Sequence, residues 1–198
     1  MAYELTQKVT LTNLLSDPSF ENEGWVAKSN CTVSKDTTYS LNGSYSLKIV
    51  TGTGSESYIG TTTNPPMVQG HTYYVCIHKY QTTTAINHLQ FYWPEAEPSM
   101  YSREGLVSIP NTDATANGWY KYSTVNTRSN WSSGNYLFRI DLENLGKAAT
   151  AWYDNAMLID LTADFGSGNE PDVEWCDENI EFFIGTKTLS PHLPLYIK

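Results

Sequence analysis

Basic residues are scarce in this chain of 198 residues. Lysine and arginine together number 12, against 21 aspartate and glutamate residues, and the formal net charge is −9. Proteins that bind nucleic acid neutralise phosphates with clustered Lys and Arg side chains, and the sequence has no such cluster. Long apolar runs are also missing, whereas a membrane-spanning helix needs about 20 apolar residues in succession. Neither nucleic acid nor a membrane is therefore predicted as a partner.

Cysteines are few and far apart. Cys31, Cys76 and Cys176 form no CxxC pair and have no zinc-ligand spacing. We expect three reduced thiols, with one disulfide plus a free thiol as the alternative. The first residues lack the basic-then-apolar pattern of a secretory signal. Either a signal has been removed, or the protein leaves its cell by another route.

Motifs of catalysis are equally scarce. The sequence contains no HExxH, GxSxG, P-loop or glycine-rich dinucleotide turn. Two acidic pairs, Glu95/Glu97 and Asp141/Glu143, have the i, i+2 spacing that a strand sets at about 6.5–7 Å. Many unrelated pairs share that spacing, so it does not identify a glycosidase. We expect a protein that is not an enzyme.

Aromatic residues, by contrast, are abundant, at 13% of the chain with 14 Tyr and 6 Trp. They alternate with polar residues over about ten short stretches separated by turn signals, with no amphipathic helix among them. This pattern predicts an all-β fold, a two-sheet antiparallel β-sandwich. Asn42-Gly43 carries the signal of a hairpin turn. The main predicted strands are 31–35, 45–50, 57–62, 72–80, 88–93, 106–109, 119–125, 135–142 and 150–161.

The pattern changes after Leu161. Pro171 and the acidic residues that follow it predict a helix within about 171–184. Its apolar side chains are too many to leave in water and too few for a separate core, so this tail must lie on the sandwich or on a neighbouring subunit. We expect a homo-oligomer. The chain divides into a leader (1–12), a β-sandwich (13–161) and a loop-helix-arm appendage (162–198).

Several segments resemble a known architecture. Residues 13–22 with Trp25, and residues 40–49, resemble the opening of jelly-roll carbohydrate-binding modules of the family 4, 9, 16 and 22 type. Residues 117–122 and 152–160 are similar to the later strands of these modules. The resemblance implies a jelly roll that binds a glycan on one sheet face.

A second set of segments resembles proteins of bacteriophages. Residues 157–171, 174–179 and 183–186 are similar to a segment that closes such modules in tail and other virion proteins of phages and prophages. This resemblance implies a virion protein that is assembled in the host cytoplasm and released by lysis, which would explain the missing signal. Otherwise we expect an extracellular protein.

The resemblance also implies a structural calcium ion between the N-terminal segment and the last strand. Carried over to this sequence, the carboxylates are those of Glu21 and Asp154. Backbone oxygens near Ser44 and Ser46 would complete a shell of six to eight oxygens. The alternative is that Glu21 caps backbone amides and Asp154 faces solvent.

A sugar site needs aromatic faces and planar polar groups. With period two, the non-core positions of three strands offer such groups, and we predict that they form one carbohydrate-binding face. Its members are His78, Tyr80, His88, Gln90, Tyr92, Arg139 and Asp141. An alternative for Arg139 and Asp141 is a surface ion pair.

Tryptophans need separate assignment. Trp131 lies among polar residues in a predicted loop, where it serves as a further stacking platform or packs beneath the sandwich. Trp25, Trp119 and Trp152 are predicted to lie in the core.

The leading hypothesis is a non-catalytic virion protein whose jelly roll attaches the particle to a bacterial surface polysaccharide or cell-wall glycan. The first alternative is a purely structural component whose sandwich binds other virion proteins. The second is a carbohydrate-binding module of a secreted glycoside hydrolase. An open aromatic groove favours sugar binding, and a groove filled by the chain itself favours a structural role.

Overall fold

Strands dominate the computed structural model, which describes residues 7–53, 57–81, 88–95, 117–128, 132–143 and 148–191. These residues form thirteen strands and two short helices. The predicted strand 106–109 lies outside the described residues. The elements are β1 (Val9–Thr12), β2 (Trp25–Ser29), β3 (Cys31–Asp36), β4 (Ser46–Thr51), β5 (Tyr58–Thr61), β6 (Pro66–Met67), β7 (Thr72–Gln81), β8 (His88–Glu95), β9 (Gly118–Thr127), β10 (Gly134–Asn135), β11 (Leu137–Glu143), β12 (Thr150–Asp160), α1 (Leu161–Phe165), α2 (Val173–Asn179) and β13 (Thr186–Leu189).

Two antiparallel sheets carry the architecture. One has four strands in the order β2-β5-β11-β8, and the other has five in the order β3-β4-β12-β7-β9. Two small two-stranded sheets, β1-β13 and β10-β6, flank them. The predicted all-β antiparallel sandwich is therefore confirmed. No helix among the described residues is long and apolar enough to span a membrane.

The main core lies between the two sheets and follows the period of two. Tyr73, Val75 and Ile77 of β7 are fully buried and pack with Phe138 and Ile140 of β11 in one cluster. Because successive side chains of a strand point to opposite sides, one side of β7 lies in this core and the other faces away from it.

Trp25 closes one end of this core. Its ring meets Phe138 edge-on at 5.9 Å and lies 5.1 Å from Phe20. Its indole N–H donates to the Asp17 carbonyl at 2.9 Å, so the polar atom of a buried ring is satisfied. The prediction that Trp25 is a core residue is confirmed.

The tail covers the outer face of the five-stranded sheet. Tyr74 and Cys76 of β7, which face away from the main core, are fully buried in a second cluster with Phe165, Cys176 and Phe183 of the tail. Strand β13 of the tail also pairs with β1 of the leader. The tail therefore lies on its own sandwich. Of the two surfaces considered for the tail, its described residues lie on the first, the sandwich of the same chain, and the homo-oligomer stays a prediction.

The predicted tail helix is shorter than expected. Asp172 caps α2 by accepting the Trp175 amide at 2.9 Å, and the helix stops at Ile180, whose backbone is extended. A separate helical turn, α1, begins directly after β12, where the Asp160 carboxylate accepts the Ala163 amide at 2.9 Å. Side-chain caps of this type satisfy amides that the first helical turn leaves free.

The β3–β4 connection differs from the predicted tight hairpin. The last register pair is Asp36 with Ser46, so residues 37–45 form a longer loop. Gly43 has φ +72°, a conformation that glycine adopts readily, but it lies within this loop and does not form a two-residue turn.

The three cysteines are free thiols, as predicted. Cys76 and Cys176 are fully buried, and Cys31 is partly exposed.

Candidate functional site

The seven strand residues that were predicted to form one face lie on two different sheets. His78 and Tyr80 belong to β7 of the five-stranded sheet, whereas the other five belong to β8 and β11 of the four-stranded sheet. The prediction of one continuous face is therefore wrong. Period two shows which side of a strand a residue occupies, but it does not show which sheet the strand joins.

Strand pairing brings the five residues of the four-stranded sheet to neighbouring positions. Arg139 lies opposite Tyr92, and Asp141 lies opposite Gln90. His88, two positions before Gln90 in β8, lies opposite Glu143.

Arg139 is a buried residue in this arrangement. Its guanidinium lies 3.4 Å from the centre of the Tyr58 ring, and the residue is only 4% exposed. A cation held over an aromatic face in this way is a stabilising contact. Two roles were predicted for Arg139, an exposed residue of an open groove and a member of a surface ion pair. Its burial contradicts both.

Trp131, the predicted loop platform, lies outside the described residues.

The five-stranded sheet carries an aromatic cluster that we call the aromatic platform, formed by Tyr39, Tyr80, Trp119 and Trp152. Three of its members are neighbours in register, because Tyr80 lies opposite Trp152 on β12 and opposite Trp119 on β9. The ring of Tyr80 meets Trp119 edge-on at 5.6 Å and Trp152 at 6.1 Å. Tyr39 comes from the 37–45 loop and stacks on Tyr80, with ring centres 3.9 Å apart.

The platform is on the outer side of the sheet. Ala151 and Tyr153, which flank Trp152 in sequence, pack into the main core, so Trp152 points away from it. Trp152 is 8% exposed, and Tyr39, Tyr80 and Trp119 are partly exposed. The predicted core location of Trp119 is therefore wrong, because it lies at an outward register position and is partly exposed. Trp152 is buried, as predicted, but on the outer side of the sheet and apart from the main core.

Charged groups line the platform in pairs. Lys48 contacts Asp36 at 3.3 Å, and its ammonium lies 5.5 Å above the Trp152 ring. On the neighbouring rung His78 lies opposite Asp154 and Lys121. Burial, and then the positive charge of Lys121, lower the pKa of His78, so its ring is neutral at pH 7. Its Nδ1 atom makes no hydrogen bond with the described residues.

The tail forms one border of the platform. The Asp177 carboxylate of α2 accepts hydrogen bonds from the Tyr74 hydroxyl at 2.7 Å and from the Ser123 hydroxyl at 2.6 Å. It also forms an ion pair with Lys121 at 2.7 Å. These contacts hold α2 on the sheet beside the platform. The register positions of His78 and Tyr80 lie beyond α2 on the same sheet face.

The two predicted calcium carboxylates both bind the loop that carries Tyr39. Glu21 Oε1 accepts the backbone amides of Ser44 and Tyr45, each at 2.8 Å. Ser46 is buried, and its hydroxyl donates to the carbonyl of Tyr39. The alternative role of Glu21 as a cap for backbone amides is what the structure shows.

Asp154 completes the attachment from the opposite side. Its Oδ2 accepts the amides of Leu41 at 2.9 Å and Asn42 at 3.1 Å. Asp154 is fully buried, so it does not face solvent as its alternative role required. Burial raises the pKa of Asp154, the amide donors lower it, and the nearby Glu21 charge raises it further.

Sequence inspection missed Tyr39 and the outward position of the two tryptophans. The flanking Ala151 and Tyr153 carry a usable signal for Trp152, because alternation places neighbours on opposite sides. Tyr39 lies in a Thr- and Ser-rich loop, where no periodicity relates it to Tyr80.

No protein family and no curated protein matches the sequence. Solved structures do match the fold. A family 4 carbohydrate-binding module superposes with a TM-score of 0.52 at 16% identity, over 69% of this chain and 94% of the module. The C-terminal family 22 module of Clostridium thermocellum xylanase 10B superposes with a TM-score of 0.50 at 13% identity, over 75% of this chain and 92% of the module. The fold is that of carbohydrate-binding modules.

A glycosidase contains a similar unit. The arabinose-bound family 51 α-L-arabinofuranosidase has a TM-score of 0.58 at 13% identity and matches 84% of this chain. This chain spans only 29% of the length of that enzyme. At these identities the comparisons show a shared sandwich, and the binding function must be argued from the residues.

Proposed function

We propose that this protein is a non-catalytic glycan-binding module and that the aromatic platform is its binding surface. The observation that carries the proposal is the row of Trp152, Tyr80 and Trp119 on three neighbouring strands, at the part of the sheet face beyond the docked α2. Tyrosine and tryptophan rings offer flat apolar surfaces to the C–H faces of sugars and a polar group at their edge. Tyr39, Tyr80 and Trp119 are partly exposed, and partly exposed apolar surface on one sheet face is a candidate binding surface.

Charge favours a neutral glycan. Lys48 and Lys121, the two cations beside the platform, are each paired with an aspartate. The net charge of −9 disfavours the binding of polyanions. A shallow surface buries little ligand area, and sugar hydroxyls exchange hydrogen bonds with water at small net gain. Affinity for a single glycan should therefore be in the range of tens of µM to mM. Many copies on one particle would raise the avidity by orders of magnitude.

The test compares Tyr80→Ala and Trp119→Ala with Tyr45→Ala on a glycan array, followed by calorimetry on the strongest ligand. Tyr45 is an exposed aromatic of the 37–45 loop that faces Lys35 and not the platform. Each platform variant should lose about 1–2 kcal/mol of binding, and the control should bind normally. Unchanged binding by both platform variants would overturn the proposed surface, and no binding by an avid multimer of the wild type would overturn the glycan function.

The virion setting is a second part of the proposal. It is supported by the resemblance of residues 157–171, 174–179 and 183–186 to virion proteins, since these segments include the end of β12 and much of the tail that docks on the sheet. We propose a phage particle protein, released by lysis, that holds the particle on bacterial surface polysaccharide or cell-wall glycan. Genes for tail or head proteins beside this one would support it, and a gene for a secreted glycoside hydrolase in the same reading frame would overturn it.

A purely structural virion role is the alternative, and two observations favour it. Arg139 is buried, and Tyr39 of the same chain covers Tyr80. On this alternative the sandwich would bind other virion proteins. The glycan array described above separates the two functions.

Calcium binding at Glu21 and Asp154 remains a proposal. It is supported by the approach of two carboxylates to one loop, although four backbone amides already balance them. A calcium ion held there would stabilise the fold by about 2.7 kcal/mol at 100 times its Kd. The melting temperature in Ca²⁺ should exceed that in EDTA for the wild type but not for Glu21→Gln. No shift and no heat of binding would overturn the proposal.

A further inference from the structure

Tyr39 occupies the place on the platform that a sugar ring would take. Its ring is nearly parallel to Tyr80, at an angle of 15° and a centre distance of 3.9 Å. It also meets the Trp152 ring edge-on at 4.7 Å. A pyranose ring stacked on this face of Tyr80 requires the same space, so the two rings cannot be there together.

The loop that carries Tyr39 is tied at defined points. We call residues 37–45 the clasp. At its start the Thr38 amide donates to Asp36 at 2.7 Å, and further on four amides donate to the carboxylates of Glu21 and Asp154, as described above. Most of the described hydrogen bonds of the clasp are therefore accepted by side chains. The strands on either side of it, β3 and β4, are instead paired with each other through their backbones.

Exposure along the clasp is consistent with movement. Residues 41–45 are all exposed, and the Tyr39 side chain makes its ring contacts at the surface with Tyr80 and Trp152. A single ring can leave such a position by side-chain rotation, without breaking the bonds to the two carboxylates.

We propose that Tyr39 is a lid over Tyr80 that the glycan must displace, which rests on the glycan-binding function proposed above. Binding then exchanges one ring stack for another, and the apparent affinity of the wild type is the intrinsic affinity multiplied by the fraction of molecules in which the lid is open. An aromatic pair contributes about 0.5–1.5 kcal/mol beyond its buried area, so removal of the lid should raise affinity about two- to tenfold.

The lid can be tested without any ligand. Nitration of tyrosines by tetranitromethane, followed by peptide mapping with mass spectrometry, reports how accessible Tyr80 is. We expect Tyr80 to react faster in Tyr39→Ala than in the wild type. Burial and the neighbouring Tyr39 raise the pKa of Tyr80, so loss of Tyr39 also favours the reactive phenolate. Tyr45→Ala leaves the stack intact and should react as the wild type does. Tyr39→Phe loses the hydroxyl that raises the pKa of Tyr80 but keeps the covering ring, so Tyr80 should react more slowly in it than in Tyr39→Ala.

Binding is measured on the same variants with cellohexaose, xylohexaose and the strongest array ligand. Tyr39→Ala should bind two- to tenfold more tightly, Tyr39→Phe should match the wild type, and Tyr80→Ala should bind more weakly. Glu21→Gln, which weakens the bonds to Ser44 and Tyr45, should give a smaller gain than Tyr39→Ala.

Failure of the lid and failure of the glycan-binding function give different results. Unchanged Tyr80 reactivity in Tyr39→Ala overturns the lid, whatever the binding result. Weaker binding by Tyr39→Ala makes Tyr39 a wall of the site and overturns the lid while the glycan function stands. If Tyr80 is nitrated faster in Tyr39→Ala but no variant binds a glycan, the proposed function is overturned. Displacement of Tyr39 by a glycan is then overturned as well, while the finding that Tyr39 covers Tyr80 stands.

Discussion

Asp177 should be the principal anchor of the tail, and replacing it with alanine should destabilise the protein. Its carboxylate accepts from Tyr74 and Ser123 and pairs with Lys121, as described above. The three partners come from β7 and β9, so that one side chain of α2 connects the tail to two strands.

The magnitude follows mainly from Tyr74. That residue is fully buried, and a buried hydroxyl that loses its acceptor costs about 1–3 kcal/mol. Lys121 is 29% exposed at its side chain and turns to water, so its ion pair adds only about 0–1 kcal/mol. Asp177→Ala should therefore lower the free energy of unfolding by about 1–4 kcal/mol at pH 7. A loss of about 3 kcal/mol corresponds to roughly 6–12 °C in Tm.

A double-mutant cycle with Tyr74→Phe isolates the hydroxyl. Phenylalanine removes the buried donor, so Asp177→Ala should cost about 1–2 kcal/mol less in the Tyr74→Phe background than in the wild type. Glu178→Ala, an exposed change on the same helix, should stay within about 0.5 kcal/mol of the wild type. Urea unfolding measures the four proteins of the cycle and the Glu178→Ala control, with a constant m value as the check on two-state behaviour.

The pH dependence of this anchor has a definite sign. Burial raises the pKa of Asp177, but Lys121, Ser123 and Tyr74 outweigh it and hold the pKa below its ordinary value. The stabilisation is therefore present above the unfolded pKa of about 3.9 and is lost as pH falls through the folded pKa. The difference between wild type and Asp177→Ala should shrink below about pH 4. A difference under about 0.5 kcal/mol at pH 7, or no relief by Tyr74→Phe, would refute the anchoring role.

Three further predictions concern other parts of the fold. Burial lowers the pKa of Lys79 to about 7, so between that pH and about 10.4 the unfolded state binds more protons and the wild type becomes more stable as pH rises. In urea unfolding, the advantage of Lys79→Met over wild type should therefore be largest near pH 6 and should shrink steadily above pH 7, with less than half of it left at pH 9. Burial raises the pKa of the Cys76 thiol to about 12 and that of Cys176 further, so neither should react with Ellman's reagent before unfolding, and fast reaction would show an open tail. Gly43→Ala places a Cβ 2.3 Å from Glu21 Oε1 at φ +72°, so it should lose about 1–2 kcal/mol and speed amide exchange at Ser44; normal exchange would refute this.

The sandwich was predictable because its strands alternate strongly. Tyr73, Val75 and Ile77 identify one buried side of β7, and the structure confirms it. The other side of the same stretch, with Tyr74 and Cys76, is also apolar, which is the sequence signal that this face needs a cover. The sequence also contained the cover, since the apolar tail had to bury its side chains on some surface.

The site was less predictable because it depends on distant contacts. Strand β7 and strand β8 are consecutive in sequence but join different sheets, and no local pattern reports that change. Tyr39 and Tyr80 come together only because β3, β4, β12 and β7 are neighbours in the order of the five-stranded sheet. The carboxylates of Glu21 and Asp154 were identified through a resemblance, and their amide partners in the clasp follow only from the folded structure.

The tail and the clasp cover the same sheet face by different physical means, and this difference determines which of them can exchange with a ligand. The tail buries a cluster of apolar side chains, adds the Asp177 contacts and closes with a strand pair between β1 and β13. Its removal exposes many apolar groups, each of which stabilises the fold by about 1.5–3 kcal/mol when fully buried. Tyr39 contributes one stacked ring at the edge of the platform, worth about 0.5–1.5 kcal/mol beyond its area. A weakly bound sugar can compete with a contact of that size, whereas it cannot displace the tail.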